Sequence, residues 1–142
     1  MIAHILALDL GKGSLGVSIS RSGMFVTPLS NIHFHLGDYN EAISLLKEEI
    51  KNEKVEHIVI GLPSYPSGDP CEMTPIVLSF IPLLKEAFPH VDILTQDERY
   101  STVDAYEYMH DNEKTAKKSK TEIDSIAASV ILERYLKNIG QF

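Results

Sequence analysis

The chain has 142 residues, 44% of them hydrophobic, a formal net charge of -7 and a single cysteine. That length and apolar share predict one domain, 1–142, with its own core and no linker. The acidic balance argues against a protein that coats nucleic acid through broad positive charge, while leaving room for a local basic patch. With Cys71 alone there is no intramolecular disulfide and no cysteine-based zinc site. No basic start followed by an apolar stretch marks a secretory leader, and no apolar run nears the ~20 residues of a membrane helix. A cytoplasmic protein without a membrane contact is expected.

Ile2 to Leu8 is nearly all apolar and predicts a buried central strand. Leu15, Val17 and Ile19 then alternate with Gly16, Ser18 and Ser20, the period of two that marks a second strand. Arg21-Ser22-Gly23 signals a turn, and Phe25 to Phe34, which contains Pro28, predicts a third strand. From Tyr39 to Asn52 the apolar positions Ala42, Leu45, Leu46 and Ile50 take helical spacing. His57 to Ile60 predicts a fourth strand ending at Gly61. "GLPSYPSGDP" holds three prolines and two glycines and predicts a loop. A helix over Glu72 to Ala87 follows, with Pro75 in its first turn and Pro82 predicting a kink.

Val91 to Leu94 predicts a fifth strand, and Ser101 to His110 a helix capped by Ser101 or Thr102. "DNEKTAKKSK" predicts a charged loop. Lys120 to Lys137 predicts the last helix, opened by the capping box Ser119-x-x-Glu122. Three opening strands imply antiparallel pairing, and the later alternation implies parallel crossovers. The expected fold is α/β, a five-stranded mixed sheet with helices on its faces.

Gly11, Gly13 and Gly16 spell G-x-G-x-x-G, the spacing of a dinucleotide-binding loop. That loop requires a following helix whose N-terminus faces the pyrophosphate. Here "LGVSIS" follows, with strand alternation, and no acid stands ~20 residues on at the end of the second strand. The glycines are instead read as a hairpin, with Gly11 and Gly13 expected to supply positive φ and Gly16 to leave space over the second strand. Asp9 then ends a central strand, either bonding the turn amides or facing a ligand.

Two further carboxylates raise the same question. Asp97-Glu98-Arg99 follows the fifth strand, at the edge where open α/β sheets collect ligands. Glu98 either pairs with Arg99, caps the next helix, or meets Asp9. Asp124, early in the last helix, shares a stripe with Ala127, Ala128 and Ile131, so it is either a favourable first-turn charge or an inward-facing acid. Three converging carboxylates would suit a hard divalent cation. The six histidines show no metal spacing; His33 and His35 flank Phe34 on the third strand and read as partly exposed.

The blocks "LDLGKGSLGVSIS", "IVIGLPSYPSGD", "QDERYST" and "EIDSIAASVIL" together resemble the YqgF-type nucleases, also called RuvX-type Holliday-junction resolvases. The resemblance runs from Ile5 to Leu136. It implies a ribonuclease H-like fold with strand order 3-2-1-4-5, which places strand four between Asp9 and Glu98. It implies a nuclease acting on structured nucleic acid, in maturation of the small-subunit ribosomal RNA precursor, with junction resolution assigned to some members. It also implies that Asp9, Glu98 and Asp124 are the catalytic, metal-holding residues, with one or two Mg²⁺ or Mn²⁺ ions.

The family usually carries basic residues where this chain has Gly13 and Ser14. Lys12, Arg99, Lys117, Lys118 and Lys120 are therefore the candidates for phosphate contact. Ser64 and Tyr65 either touch a nucleotide or only shape their loop. The expected partner is nucleic acid, RNA ahead of a DNA junction, with ribosomal precursor particles behind it, and the chain acts as a monomer or homodimer. The alternative from another class is a non-catalytic RNA- or ribosome-binding protein on the same fold. A sugar-kinase or actin-like ATPase would need a second such domain to close over ATP.

Overall fold

The computed structural model describes residues 4–97 and 120–139, with the backbone alone for residues 120–125. Five strands, β1 His4–Leu10, β2 Ser14–Ser20, β3 Thr27–His33, β4 Val55–Leu62 and β5 Asp92–Asp97, form one sheet in the order β3-β2-β1-β4-β5. β1 pairs antiparallel with β2, and β2 with β3. β4 lies parallel to both β1 and β5. The described helices are α1 Tyr39–Glu49, α2 Met73–Ala87 and α3 Lys120–Asn138. The helix expected over Ser101 to His110, with the charged loop and Ser119, lies outside the described residues.

β1 is nearly all apolar because both of its faces are covered. Leu6, Leu8 and Leu10 point to one side, where they join Leu15, Val17 and Ile19 of β2, Ile58 and Ile60 of β4, and the buried stripes of α1 and α2. Ile5 and Ala7 point to the other, where they meet Val59 and the α3 residues Ile131, Leu132 and Leu136. On that second face β2 offers only Ser14, Gly16, Ser18 and Ser20. α3 lies across them and buries its own Ala127 and Ala128. Small residues on both partners let the helix approach the sheet closely.

Several boundaries differ from the sequence expectation. β3 begins at Thr27, leaving Met24 and Phe25 exposed. Pro28 is tolerated because β3 is an edge strand and the ladder shifts register between Val17 and Ser18 beside it. His35 falls beyond the end of β3, so it does not share a strand face with His33. α1 stops at Glu49, three residues before Asn52. α2 runs through Pro82 as one helix. β4 continues through Gly61 to Leu62, and β5 continues past Leu94 to Asp97.

Candidate active site

Asp9 is the penultimate residue of β1, at the C-terminal edge of the parallel part of the sheet. Its partner on β2 is Gly16, whose own partner on β3 is Asn31. On the other side the β1–β4 pairing runs to Leu8 opposite Ile60, so Gly61 is the next residue along β4 beside Asp9. The carboxylate thus has a glycine on each neighbouring strand, and neither contributes a side chain beside it. Alternation places Asp9 on the face of Ile5 and Ala7, the face that α3 covers. It is partly buried there.

The hairpin after Asp9 is real, but its glycines work differently from the expectation. The described glycines with positive φ are Gly23, Gly37 and Gly68, so Gly11 and Gly13 turn the chain without left-handed backbone. Space is tight at Gly11 and ordinary at Gly13. A Cβ on Gly11 would stand 3.0 Å from the Ser14 hydroxyl oxygen, and one on Gly13 would stand 3.4 Å from the Phe34 carbonyl. The Gly11 N–H donates to the Ser14 carbonyl at 2.7 Å. The segment after β3 then clasps the turn. The Phe34 N–H donates to the Gly13 carbonyl at 3.1 Å and the Gly37 N–H to the Lys12 carbonyl at 2.9 Å.

Lys12 carries the exposed ammonium of this turn, and it pairs with Glu72 at the start of α2. Glu41 of α1 in turn ties down the clasp at His35. The His35 N–H donates to Glu41 Oε1 at 2.5 Å, and the His35 ring nitrogen Nδ1 lies 2.9 Å from the same oxygen. The Glu41 carboxylate raises the His35 pKa by hydrogen bond and charge. In return the His35 backbone N–H, then its ring, lower that of Glu41. Asp38 caps α1 by accepting from the Glu41 N–H at 3.1 Å.

Among the other predicted site residues, Asp124 and Lys120 lie in the first turns of α3, where the backbone alone is described. One and two turns after Asp124, Ala128 and Ile131 are fully buried. Glu98, Arg99, Lys117 and Lys118 lie outside the described residues. β4 does separate β1 from β5, so the strand that leads to Glu98 stands two places from Asp9. Asp97 ends β5 rather than following it, level with Leu62 of β4. Among the described residues no group of three or more His, Cys, Asp or Glu could hold a metal ion.

The sequence reading missed a cleft at the ends of β4 and β5, with a volume of about 420 Å³. Leu62, Pro63 and Pro70 supply apolar walls, and Ser64, Thr95 and Asp97 supply polar groups. Thr74 of α2 anchors it: its hydroxyl donates to the Pro63 carbonyl at 2.5 Å and accepts from the Cys71 N–H at 2.9 Å. The same hydroxyl lowers the Cys71 thiol pKa. Ser64 was a candidate in the sequence; Asp97 stood out only as a neighbour of Glu98. Tyr65 is more than half exposed and is not among the lining residues.

The strand order, the antiparallel β1–β2–β3 half and the helices on both faces define a ribonuclease H-like fold. T. thermophilus RuvC, solved in complex with Holliday junction substrate, matches it with a TM-score of 0.61 over 98% of both chains, at 11% sequence identity. The sequence match is narrower: the model of the RuvX family, described as Holliday junction resolvase, covers residues 3–138. A relative from Aster yellows witches'-broom phytoplasma is 34% identical over 94% of this chain and 89% of its own. Another from Mycoplasmopsis pulmonis is 35% identical over 94% of this chain and 92% of its own. Both bear the name "Putative pre-16S rRNA nuclease". The chain belongs to the RuvX family.

Proposed function

We propose that the chain is a metal-dependent nuclease that hydrolyses phosphodiester bonds in structured nucleic acid, with the small-subunit ribosomal RNA precursor as its substrate. The observation that carries this reading is Asp9, held at the end of the central strand with Gly16 on one side and Gly61 on the other. That arrangement leaves room beside a carboxylate in a chain of a nuclease family. The names of the relatives favour the RNA substrate.

Asp9, Glu98 and Asp124 are hard oxygen donors, a set that fits Mg²⁺ or Mn²⁺, and together they would hold one or two such ions. The bound metal would supply positive charge at the reacting phosphate and lower the pKa of a water. The chain's own part would be to bring the three carboxylates together and to hold the strand there. Arg99, Lys117, Lys118 and Lys120 would meet backbone phosphates. Lys12 would join them by exchanging Glu72 for a phosphate. Incubating the purified chain and Mn²⁺ with a precursor fragment and, separately, with a four-way DNA junction tests the substrate. We expect cleavage of the RNA. Cleavage of the junction alone would contradict the RNA assignment.

The pairing of Lys12 with Glu72, together with the absence of basic residues at Gly13 and Ser14, favours a second reading: an RNA- or ribosome-binding protein with no catalysis. Metal titration separates the two. A ligand that binds only the folded form raises the unfolding temperature. Millimolar Mg²⁺ or Mn²⁺ is expected to raise it for the native chain and less for Asp9→Asn. No shift in either would favour the binding reading.

A further inference from the structure

Lys12 and Glu72 meet at the edge of the sheet where β1 ends. Lys12 follows Asp9 by three residues and sits in the turn between β1 and β2. Glu72 stands at the N-cap of α2, the helix that packs on the face opposite α3. The Lys12 ammonium donates to Glu72 Oε1, tying the turn to the start of that helix.

Only the two side chains are committed to this pair. The backbone of the turn is held separately, by the Gly37 N–H on the Lys12 carbonyl at 2.9 Å and the Phe34 N–H on the Gly13 carbonyl at 3.1 Å. Glu72 makes no bond to the N–H groups of its own helix, and the first turn of α2 holds no acid. The Cys71 N–H is satisfied by the Thr74 hydroxyl at 2.9 Å. Parting the pair therefore disturbs neither the turn nor the helix start. A released Glu72 carboxylate still stands at the positive end of α2, which favours its charge. The Lys12 side chain is 48% exposed and that of Glu72 73%, a setting in which ion pairs are weak and screened by salt. The partner of Lys12 can thus be exchanged at little cost.

Lys12 is the only charged residue from Gly11 to Ser14. A nucleic-acid strand crossing the Asp9 edge would offer it an anionic phosphate oxygen in place of the carboxylate, on a backbone that carries many such charges. We propose that Glu72 is a built-in competitor for that phosphate: it neutralises Lys12 in the free chain and yields it to the strand on binding. The pair lowers the affinity of the turn for nucleic acid and eases release of the strand. This regulation rests on the nucleic-acid reading of the Asp9 edge.

Fluorescence anisotropy in EDTA, with the full chain and a labelled single-stranded RNA of about twelve nucleotides, tests the exchange without cleavage. Four chains are compared: native, Glu72→Gln, Lys12→Gln and the double variant. At about 50 mM salt, Glu72→Gln should bind about threefold tighter than the native chain, and Lys12→Gln weaker. Added to Lys12→Gln, the Glu72→Gln change should bring little gain, because the ammonium it frees is gone. Raising the salt to about 200 mM should narrow the gain seen with Lys12 present. No gain from Glu72→Gln with Lys12 in place would overturn the proposal. A gain of the same size without Lys12 would overturn it too, since that gain would come from net charge alone. A chain that shows the expected pattern yet fails to cut RNA in Mn²⁺ would lose the nuclease reading and keep the exchange. One that cuts but shows no gain would lose the exchange alone.

Discussion

Asp9 stands between two glycines. Gly16 and Gly61 flank it on the adjacent strands, and the turn that follows is clasped by Phe34 and Gly37. The sequence shows Asp9 and the glycines, because an acid closing an apolar run is conspicuous. It does not show the clasp, since His35, Asp38 and Glu41 look like ordinary loop and helix-start residues until the chain folds back on the turn. The His35–Glu41 pair gives that clasp a pH signature. His35 has a raised pKa, so its contribution is full below its ordinary value near 6.5 and fades as pH rises through the folded value. Glu41 has a lowered pKa, so its contribution is full above its ordinary value near 4.5 and fades as pH falls through the folded value. Both act together between about pH 4.5 and 6.5. Glu41→Gln is therefore expected to lower the unfolding temperature most near pH 5.5 and by less at alkaline pH, where the hydrogen bond from the His35 backbone N–H to Glu41 remains. A gap of constant size from pH 5 to 9 would show that the ion pair is not its source.

At the scale of elements, the small face of β2 and the alanines of α3 set how close the last helix lies. The alternation of Ser14, Gly16, Ser18 and Ser20 was legible as a strand. Its use as a bed for α3 was not, because that pairing joins segments about a hundred residues apart. Ala128 is fully buried in this contact. Ala128→Leu would insert a large side chain where the backbone is already near, and overpacking of this kind costs ~1–3 kcal/mol. Urea unfolding should show that loss, and unchanged stability would mean that the helix stands farther from the sheet. β4 and β5 run past the ends that the sequence predicts for a related reason. Gly61 and the polar run Thr95-Gln96-Asp97 look like strand ends, but the parallel ladder continues through them, pairing Gly61 with Gln96 and Leu62 with Asp97. That extension also builds the cleft, whose residues come from β4, its following loop, α2 and β5 and share no local pattern.

For the whole molecule, the antiparallel opening and the parallel half were both legible, since period-two strands in sequence favour hairpins while strands alternating with helices favour crossovers. The order of the strands came from the family resemblance, and the sheet has that order. It puts the end of β1 and the end of β5 on one edge with β4 between them, the frame on which the proposed metal site rests. Among the described residues no helix is long and apolar enough to cross a membrane. In the proposed reading Asp9 serves the chemistry and the fold stands without it. Cleavage of a small-subunit ribosomal RNA precursor fragment by the native chain and by Asp9→Asn, in Mn²⁺ and with unfolding temperatures measured alongside, tests this most directly. The native chain is expected to cleave, Asp9→Asn to fall to background, and the two unfolding temperatures to be closely similar in the absence of metal. An Asp9→Asn protein that cuts at the native rate would contradict it.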